Sequence, residues 1–242
     1  LSAKQLNSIP GGKSVISTQP FEQAEKLKTA LEGSDISFFN LPMIHTEALP
    51  LSREIIDVIQ NLSHFSLVIF TSKNGVGAFW KALEQMKIIF PASLKTAVIG
   101  RGTAKALQKY HGDPDFMNEG KTSTDFAAYL KSGILSERDN VLLVQGNLAP
   151  DFLLNELNKI AEVKRIDVYR TVPEETCDEN ILNEIRNNRY GLLVFSSPSG
   201  FSNFYRFYQR GAEEKFPLRI LSIGNTTTEA ISGICKADII TA

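Results

Sequence analysis

The chain has 242 residues, 43% of them apolar, and a formal net charge of −1. That is enough for one large domain or two moderate ones, with the composition of a globular protein. No run of about 18 apolar residues exists to span a bilayer, residues 1–10 lack the apolar core of a signal peptide, and the charge implies no broad basic face for nucleic acid. Cytoplasm is the default compartment. Cys177 and Cys235 share no metal-ligand spacing and read as free thiols, and His45, His64 and His111 form no metal motif.

In chain order, Val15 to Thr18 reads as a strand, followed after Pro20 by a helix with Ala24, Leu27 and Leu31 at helical spacing. Residues 36–44 are extended but crossed by Pro42, which suits an edge or a linker. Ser52 caps a helix over 53–62. Leu67–Phe70 is a strand, and the helix after it carries Val76, Phe79, Trp80, Leu83 and Met86 as a core stripe. Thr96–Gly100 is a strand with a helix from Gly102, and residues 122–131 form another helix. The order then restarts: strand 141–144, helix 151–160, an extended run 164–171, helix 179–187, strand 192–195, strand 220–224, and a helix from about 227. Alternating strands and helices mean an α/β fold with parallel sheets.

The restart is a repeat. Val15 maps to Val141 at an offset of 126, Phe70 to Phe195 at 125 and Ile99 to Ile223 at 124. Phe70-Thr-Ser-Lys-Asn-Gly75 has a near-copy in Phe195-Ser-Ser-Pro-Ser-Gly200. The two halves need not be the two domains, because the first βα unit can pack with the last third of the chain. This gives one discontinuous domain, 1–36 with 174–242, a second over 47–164, and connector strands at 37–46 and 165–173.

In open α/β sheets, ligands bind beyond the carboxyl ends of the strands. Four such ends carry small hydroxyl or glycine residues: Thr71 and Ser72, Gly100 to Thr103, Ser196 and Ser197, and Gly224 to Thr227. A helix start leaves backbone amides unpaired and favours negative charge. Serines and threonines at these places also serve simply as helix caps. Lys73, Arg101 and Lys105 are cations beside these loops. The glycines fit no nucleotide fingerprint, since Gly75-Val-Gly77 lacks the third glycine and no Gly-x-x-x-x-Gly-Lys-Ser/Thr occurs. Tyr169 is singular: by period two it shares a face with Arg165, Asp167 and Thr171, and its repeat equivalent is Met43. It is either a packing tyrosine at a hinge or a proton or hydrogen-bond donor.

These pieces, with Val98-Ile99-Gly100, Val168-Tyr169-Arg170-Thr171 and Ile223-Gly224-Asn225-Thr226-Thr227, resemble the uroporphyrinogen-III synthase family in order and spacing over nearly the whole chain. The resemblance implies two flavodoxin-like parallel-sheet domains joined by a two-stranded connector, with the ligand cleft between them. It implies a monomeric, cofactor-free lyase of tetrapyrrole and heme synthesis that closes hydroxymethylbilane, a linear tetrapyrrole with eight carboxylates. Water leaves the hydroxymethyl group on ring A, ring D attacks through its substituted carbon, and a spiro intermediate reopens with ring D inverted. Tyr169 would then assist hydroxyl departure. Thr71, Ser72, Lys73, Gly100, Arg101, Thr103, Ser196, Ser197, Gly224, Thr226 and Thr227 would contact substrate. Two departures stand out. Thr18-Gln19-Pro20 replaces the family's Thr-Arg-Pro, and no helix follows Ile240, so the expectation is a chain that continues further. The rival reading is a non-enzymatic two-domain receptor for a small anion.

Overall fold

The computed structural model describes residues 14–120, 122–210 and 216–242; the expectation for residues 1–10 lies outside them. The elements, in order, are β1 (Ser14–Ser17), α1 (Phe21–Leu31), β2 (Ser37–Asn40), β3 (Ile44–Ala48), α2 (Arg53–Gln60), β4 (Leu67–Phe70), α3 (Lys73–Met86), β5 (Lys95–Ile99), α4 (Gly100–Leu107), β6 (Phe116–Asn118) and α5 (Ser123–Lys131). There follow β7 (Asn140–Gly146), α6 (Phe152–Leu157), β8 (Glu162–Pro173), α7 (Glu179–Arg186), β9 (Leu192–Phe195), α8 (Pro198–Tyr208), β10 (Leu218–Ser222), α9 (Asn225–Ser232) and β11 (Ala237–Thr241). No helix among the described residues is long and apolar enough to cross a membrane.

The chain forms two compact units: one ends at His45 and resumes at Val172, and the other runs from Thr46 to Thr171. The stretches expected as connectors belong to sheets. Ser37–Asn40 pairs with β1 in the first unit, and residues 165–167 and Tyr169 pair with β7 in the second.

The first unit holds a five-stranded sheet in the order β11-β10-β9-β1-β2, parallel at every pairing. Numbered within the unit this is 2-1-3-4-5, the flavodoxin-like order. The second unit has a six-stranded sheet in the order β3-β8-β7-β4-β5-β6. Setting β3 aside, and counting from β7, the order is again 2-1-3-4-5. β7 corresponds to β1, β4 to β9 and β5 to β10, the pairs that the offsets of 126, 125 and 124 connect in the sequence. The two sheets are therefore alike, and the second is threaded from its third strand.

The short strands beside the switch point are buried on both faces. Every residue of Leu67–Phe70 and of Leu192–Phe195 is buried, as a sheet covered by helices on both sides requires. Period two then sorts the side chains. Val68 and Phe70 join Val76, Phe79 and Leu83 of α3, whereas Leu67 and Ile69 join Phe126 and Leu130 of α5. Likewise Leu193 and Phe195 meet Phe201 and Phe204 of α8, and Leu192 and Val194 meet Leu31 of α1. Trp80 stacks between Phe90 and Tyr110, with ring centroids 5.2 and 5.6 Å away. Neither Cys177 nor Cys235 is in a disulfide.

Glu156 of α6 bonds both Lys131 of α5, at 2.5 Å, and Lys159. These hydrogen bonds, that from Lys131 foremost, pull its carboxyl from the usual 4.5 down to about 2. A depressed carboxyl pKa contributes stability above the unfolded value and loses it as pH falls through the folded one. Glu156→Gln should therefore lower the urea midpoint at neutral pH and flatten its fall between pH 4.5 and about 2. A mutant curve parallel to the parent's over that window would show that the carboxylate contributes nothing there.

Candidate functional site

Each sheet reverses its strand order once, between β9 and β1 in the first unit and between β4 and β7 in the second. The crevice beyond the carboxyl ends at such a reversal is where open α/β sheets receive ligands. In the second unit, Ser72 caps α3 there. Its Oγ accepts the Gly75 amide at 3.0 Å and lies 3.1 Å from the Tyr169 hydroxyl. Ser197 occupies the same place on α8 and accepts the Gly200 amide at 3.1 Å, with Ser199 Oγ 3.3 Å away. The two serines are the same device, and only one of them meets a phenol.

A register shift brings Tyr169 to Ser72. Along β7 and β8 the pairing runs Gln145 with Asp167, then Gly146 with Tyr169, so Val168 is an extra residue in β8. This is a β-bulge, which breaks period two and re-aims the side chains after it. Period two places Tyr169 with Arg165 and Asp167, and the bulge overturns that. Ile166, Val168 and Tyr169 all pack on the side of Phe70, Val76 and Val144. Arg165 instead pairs with Asp151 at 2.7 Å and Asp167 at 2.9 Å.

The bulge is held in place locally. The Asn147 amide donates to the Tyr169 carbonyl at 3.1 Å, and the Thr171 amide donates to Asn147 Oδ1 at 3.0 Å. Arg165 Nη2 reaches the Gly146 carbonyl at 3.4 Å. Gln145, at the same strand end, is 3% exposed, and its Oε1 has no hydrogen-bond partner among the described residues. None of Gln145, Gly146 and Asn147 was singled out from the sequence. The signal was available, since a Gly-Asn pair after a buried strand marks a turn at a strand end. Met43, the repeat equivalent of Tyr169, is wholly buried in the core of the first unit.

A second cluster lies beside this one on the same unit. Lys73, Gly100, Arg101 and Thr103 line a groove of about 570 Å³ together with Ile99, Gly102, Glu119 and Gly120. Gly100 has φ +73°, the left-handed region that side chains avoid. Glu119, also absent from the sequence reading, accepts from Arg101 Nη2 at 2.8 Å and Nε at 3.2 Å, which holds the guanidinium pKa above its ordinary value. Arg101 is thus paired with Glu119. Both side chains are exposed, at 75% and 62%, and such pairs contribute little to stability, so a carboxylate ligand can displace Glu119 at small cost. Thr71 is half-buried beside Ser72.

In the first unit, Gly224 repeats the Gly100 geometry with φ +89°. Ser196 is half-buried and Thr226 exposed. Thr227 is only 2% exposed and turns its hydroxyl to the Ile223 carbonyl at 3.4 Å. Thr103, its counterpart, is 6% exposed. The two threonines thus face inward, leaving backbone amides, Ser196, Ser197 and Thr226 as the accessible donors on that edge.

The paired caps form an internal control. Ser197→Ala should lower the unfolding free energy by about 1 kcal/mol, the usual worth of a side-chain cap. Ser72→Ala should cost about 1 kcal/mol more, because the phenol also loses its partner. Equal losses in urea unfolding would show that the Ser72–Tyr169 bond adds no net stability.

A family model described as uroporphyrinogen-III synthase HemD matches residues 25–238. A Methanocaldococcus jannaschii protein provisionally named uroporphyrinogen-III synthase is 28% identical over 224 residues, which cover 90% of this chain and 88% of that one. The porphyrin biosynthesis protein HemD of Ruminiclostridium josui is 24% identical over 226 residues, but the chain spans only 44% of that longer relative. Among solved structures, a mutant uroporphyrinogen III synthase of Thermus thermophilus superposes with a TM-score of 0.62 at 18% identity, covering 96% of this chain and 93% of that one. Uroporphyrinogen-III synthetase of Helicobacter pylori superposes with a TM-score of 0.57, again at 18% identity, covering 94% and 92%. At that identity the superpositions speak for the fold.

Proposed function

The chain belongs to the uroporphyrinogen-III synthase family, and on that premise we propose that it is a lyase that closes hydroxymethylbilane to uroporphyrinogen III with ring D inverted. The observation that carries the site assignment is the Tyr169 hydroxyl 3.1 Å from the capping oxygen of Ser72 at the sheet's switch point. Ser72 Oγ already accepts the Gly75 amide, which leaves its own proton to give. When Ser72 donates to the phenol oxygen, the phenol proton is free for a leaving hydroxyl, and the oxygen left behind keeps a donor.

The balance of the reaction suits one weak acid. The pyrrole nitrogen of ring A supplies the electron pair that expels the hydroxyl, Tyr169 supplies the proton, and water departs. Ring D then attacks the exocyclic carbon through its substituted position and forms a carbon–carbon bond. The spiro intermediate breaks its older bond to ring D and recloses at the other side. The last step releases a proton, which restores the phenol. Most of the barrier is met by folding and orienting the bilane, a contribution that reaches several kcal/mol in well-positioned reactions.

Orientation falls to carboxylate holders. In the second unit these are Lys73, Arg101 and the amides from Gly100 onward, with Thr71 and Ser72; in the first they are the amide-rich ends at Ser196–Ser197 and Gly224–Thr226. A carboxylate meets unpaired helix-start amides as a phosphate would. Thr103 and Thr227 act in this reading by fixing the turns from within.

Given fresh hydroxymethylbilane, the protein should yield mainly the type III isomer by chromatography; type I product at the uncatalysed rate would remove the assignment. Tyr169→Phe should slow turnover by roughly tenfold or more, the lower range for a positioned acid, with the type III share of enzymatic product retained. Turnover equal to the parent's would return Tyr169 to packing.

A further inference from the structure

We propose that Gly146 is a positioning residue for the Tyr169 phenol, and that it acts by having no side chain; this rests on the role given to Tyr169 above. A Cβ built on Gly146 would lie 2.4 Å from Tyr169 Cζ, 2.6 Å from Cε2 and 2.8 Å from Cε1. Real Cβ atoms do not come so close to ring carbons. The atom nearest the clash is the carbon that carries the hydroxyl, so any added side chain pushes on the reactive end of the ring rather than on its root.

The backbone gives no other reason for a glycine here. Gly146 is absent from the residues with positive φ, which among the described glycines are Gly33, Gly100, Gly112, Gly133 and Gly224. An alanine would therefore accept the torsions, and only the ring forbids it. The topology explains the need. Tyr169 is on β8, Ser72 follows β4, and β7 lies between those strands. To reach Ser72 the ring has to pass over the end of β7, and Gly146 is the residue at that end. Gly75 completes the slot from the far side, where its Cβ would meet Ser72 Oγ at 3.2 Å and Tyr169 Cε1 at 3.8 Å.

The consequence of filling the slot is specific. The ring can swing about its own side-chain torsions, because it is a half-buried side chain and not part of the backbone. Gly146→Ala should thus leave the sheet formed and move the hydroxyl off Ser72. A group displaced from the reacting atoms lowers kcat, whereas carboxylate binding at other strand ends keeps KM.

The test is Gly146→Ala made in the parent, in Tyr169→Phe and in Tyr169→Ala, with kcat and KM for type III formation and urea unfolding read on each. In the parent, kcat should fall by roughly tenfold or more, towards the value of Tyr169→Phe, with KM changed by less than about twofold. In Tyr169→Phe the same change should cost under about twofold in kcat, because the hydroxyl it displaces is already gone. In Tyr169→Ala it should cost no stability, because the ring it meets is gone; this arm decides the matter even if Gly146→Ala alone fails to fold. Parental kcat in Gly146→Ala, an equal further loss in Tyr169→Phe, or loss of folding in the Tyr169→Ala background would each overturn the proposal. Full turnover by Tyr169→Phe would instead remove the phenol's role and this inference with it, whereas a slow Tyr169→Phe beside an unaffected Gly146→Ala would remove this inference alone.

Discussion

One surplus residue in β8 sets the geometry of the second unit's switch point. With Val168 unpaired against β7, the alternation of the strand is reset, and three residues in the run Ile166–Tyr169 pack towards α3. Without that surplus the phenol would turn to the face where Arg165, Asp151 and Asp167 form their ion pairs. A bulge costs ladder pairing. Here the loss is offset by two hydrogen bonds through Asn147, one to the Tyr169 carbonyl and one from the Thr171 amide. The hydroxyl then meets a serine whose oxygen is already fixed by a helix amide.

The duplicated architecture explains why the remaining groups are so plain. Both sheets present a capped helix after their third strand and a left-handed glycine at the start of the next helix, Gly100 in one and Gly224 in the other. Those turns expose amides, and amides suit carboxylates without any charged side chain. At the matching repeat positions the units differ in charge: Lys73 and Arg101 line the second unit's groove, the latter tethered to Glu119, where the first unit has Pro198 and Asn225. The units have also diverged at the equivalent of Tyr169, where Met43 is core, its carbonyl taken by Asn203 at 2.7 Å. Two similar sheets thus give one serine–phenol pair, not two.

Much of this could be read from residue order. Buried four-residue strands, serine caps and the offsets near 125 locate β4, β9 and their helices, because these features are local and each has one physical cause. The Gly100 and Gly224 turns follow from the same repeat. Tyr169 could be picked out but not aimed: period two is a rule for regular strands, and a bulge depends on which residues face each other across a ladder, a fact absent from either strand alone. Gly146 and Glu119 were missed for a related reason. Their partners, Tyr169 and Arg101, are 23 and 18 residues away in sequence, and nothing adjacent to them announces the contact. The three-residue β6 is too short for any periodicity to reveal.

In the first unit the Glu174 amide bonds the Met43 carbonyl at 3.0 Å, and His45 Nδ1 meets Glu174 Oε1 at 2.9 Å. In the second, the Leu49 amide bonds the Val168 carbonyl at 2.9 Å. Where the chain leaves one body and where it returns are therefore neighbours within each. A few residues of linker would close the gap left by excision, at a small entropic cost for so short a loop. The molecule is in this sense a cassette within a host, yet by strand role the chain runs 1-2-3-4-5 twice over, so a tandem duplication in which each body combines the first two strands of one copy with the last three of the other is a sufficient account of how its permuted thread arose.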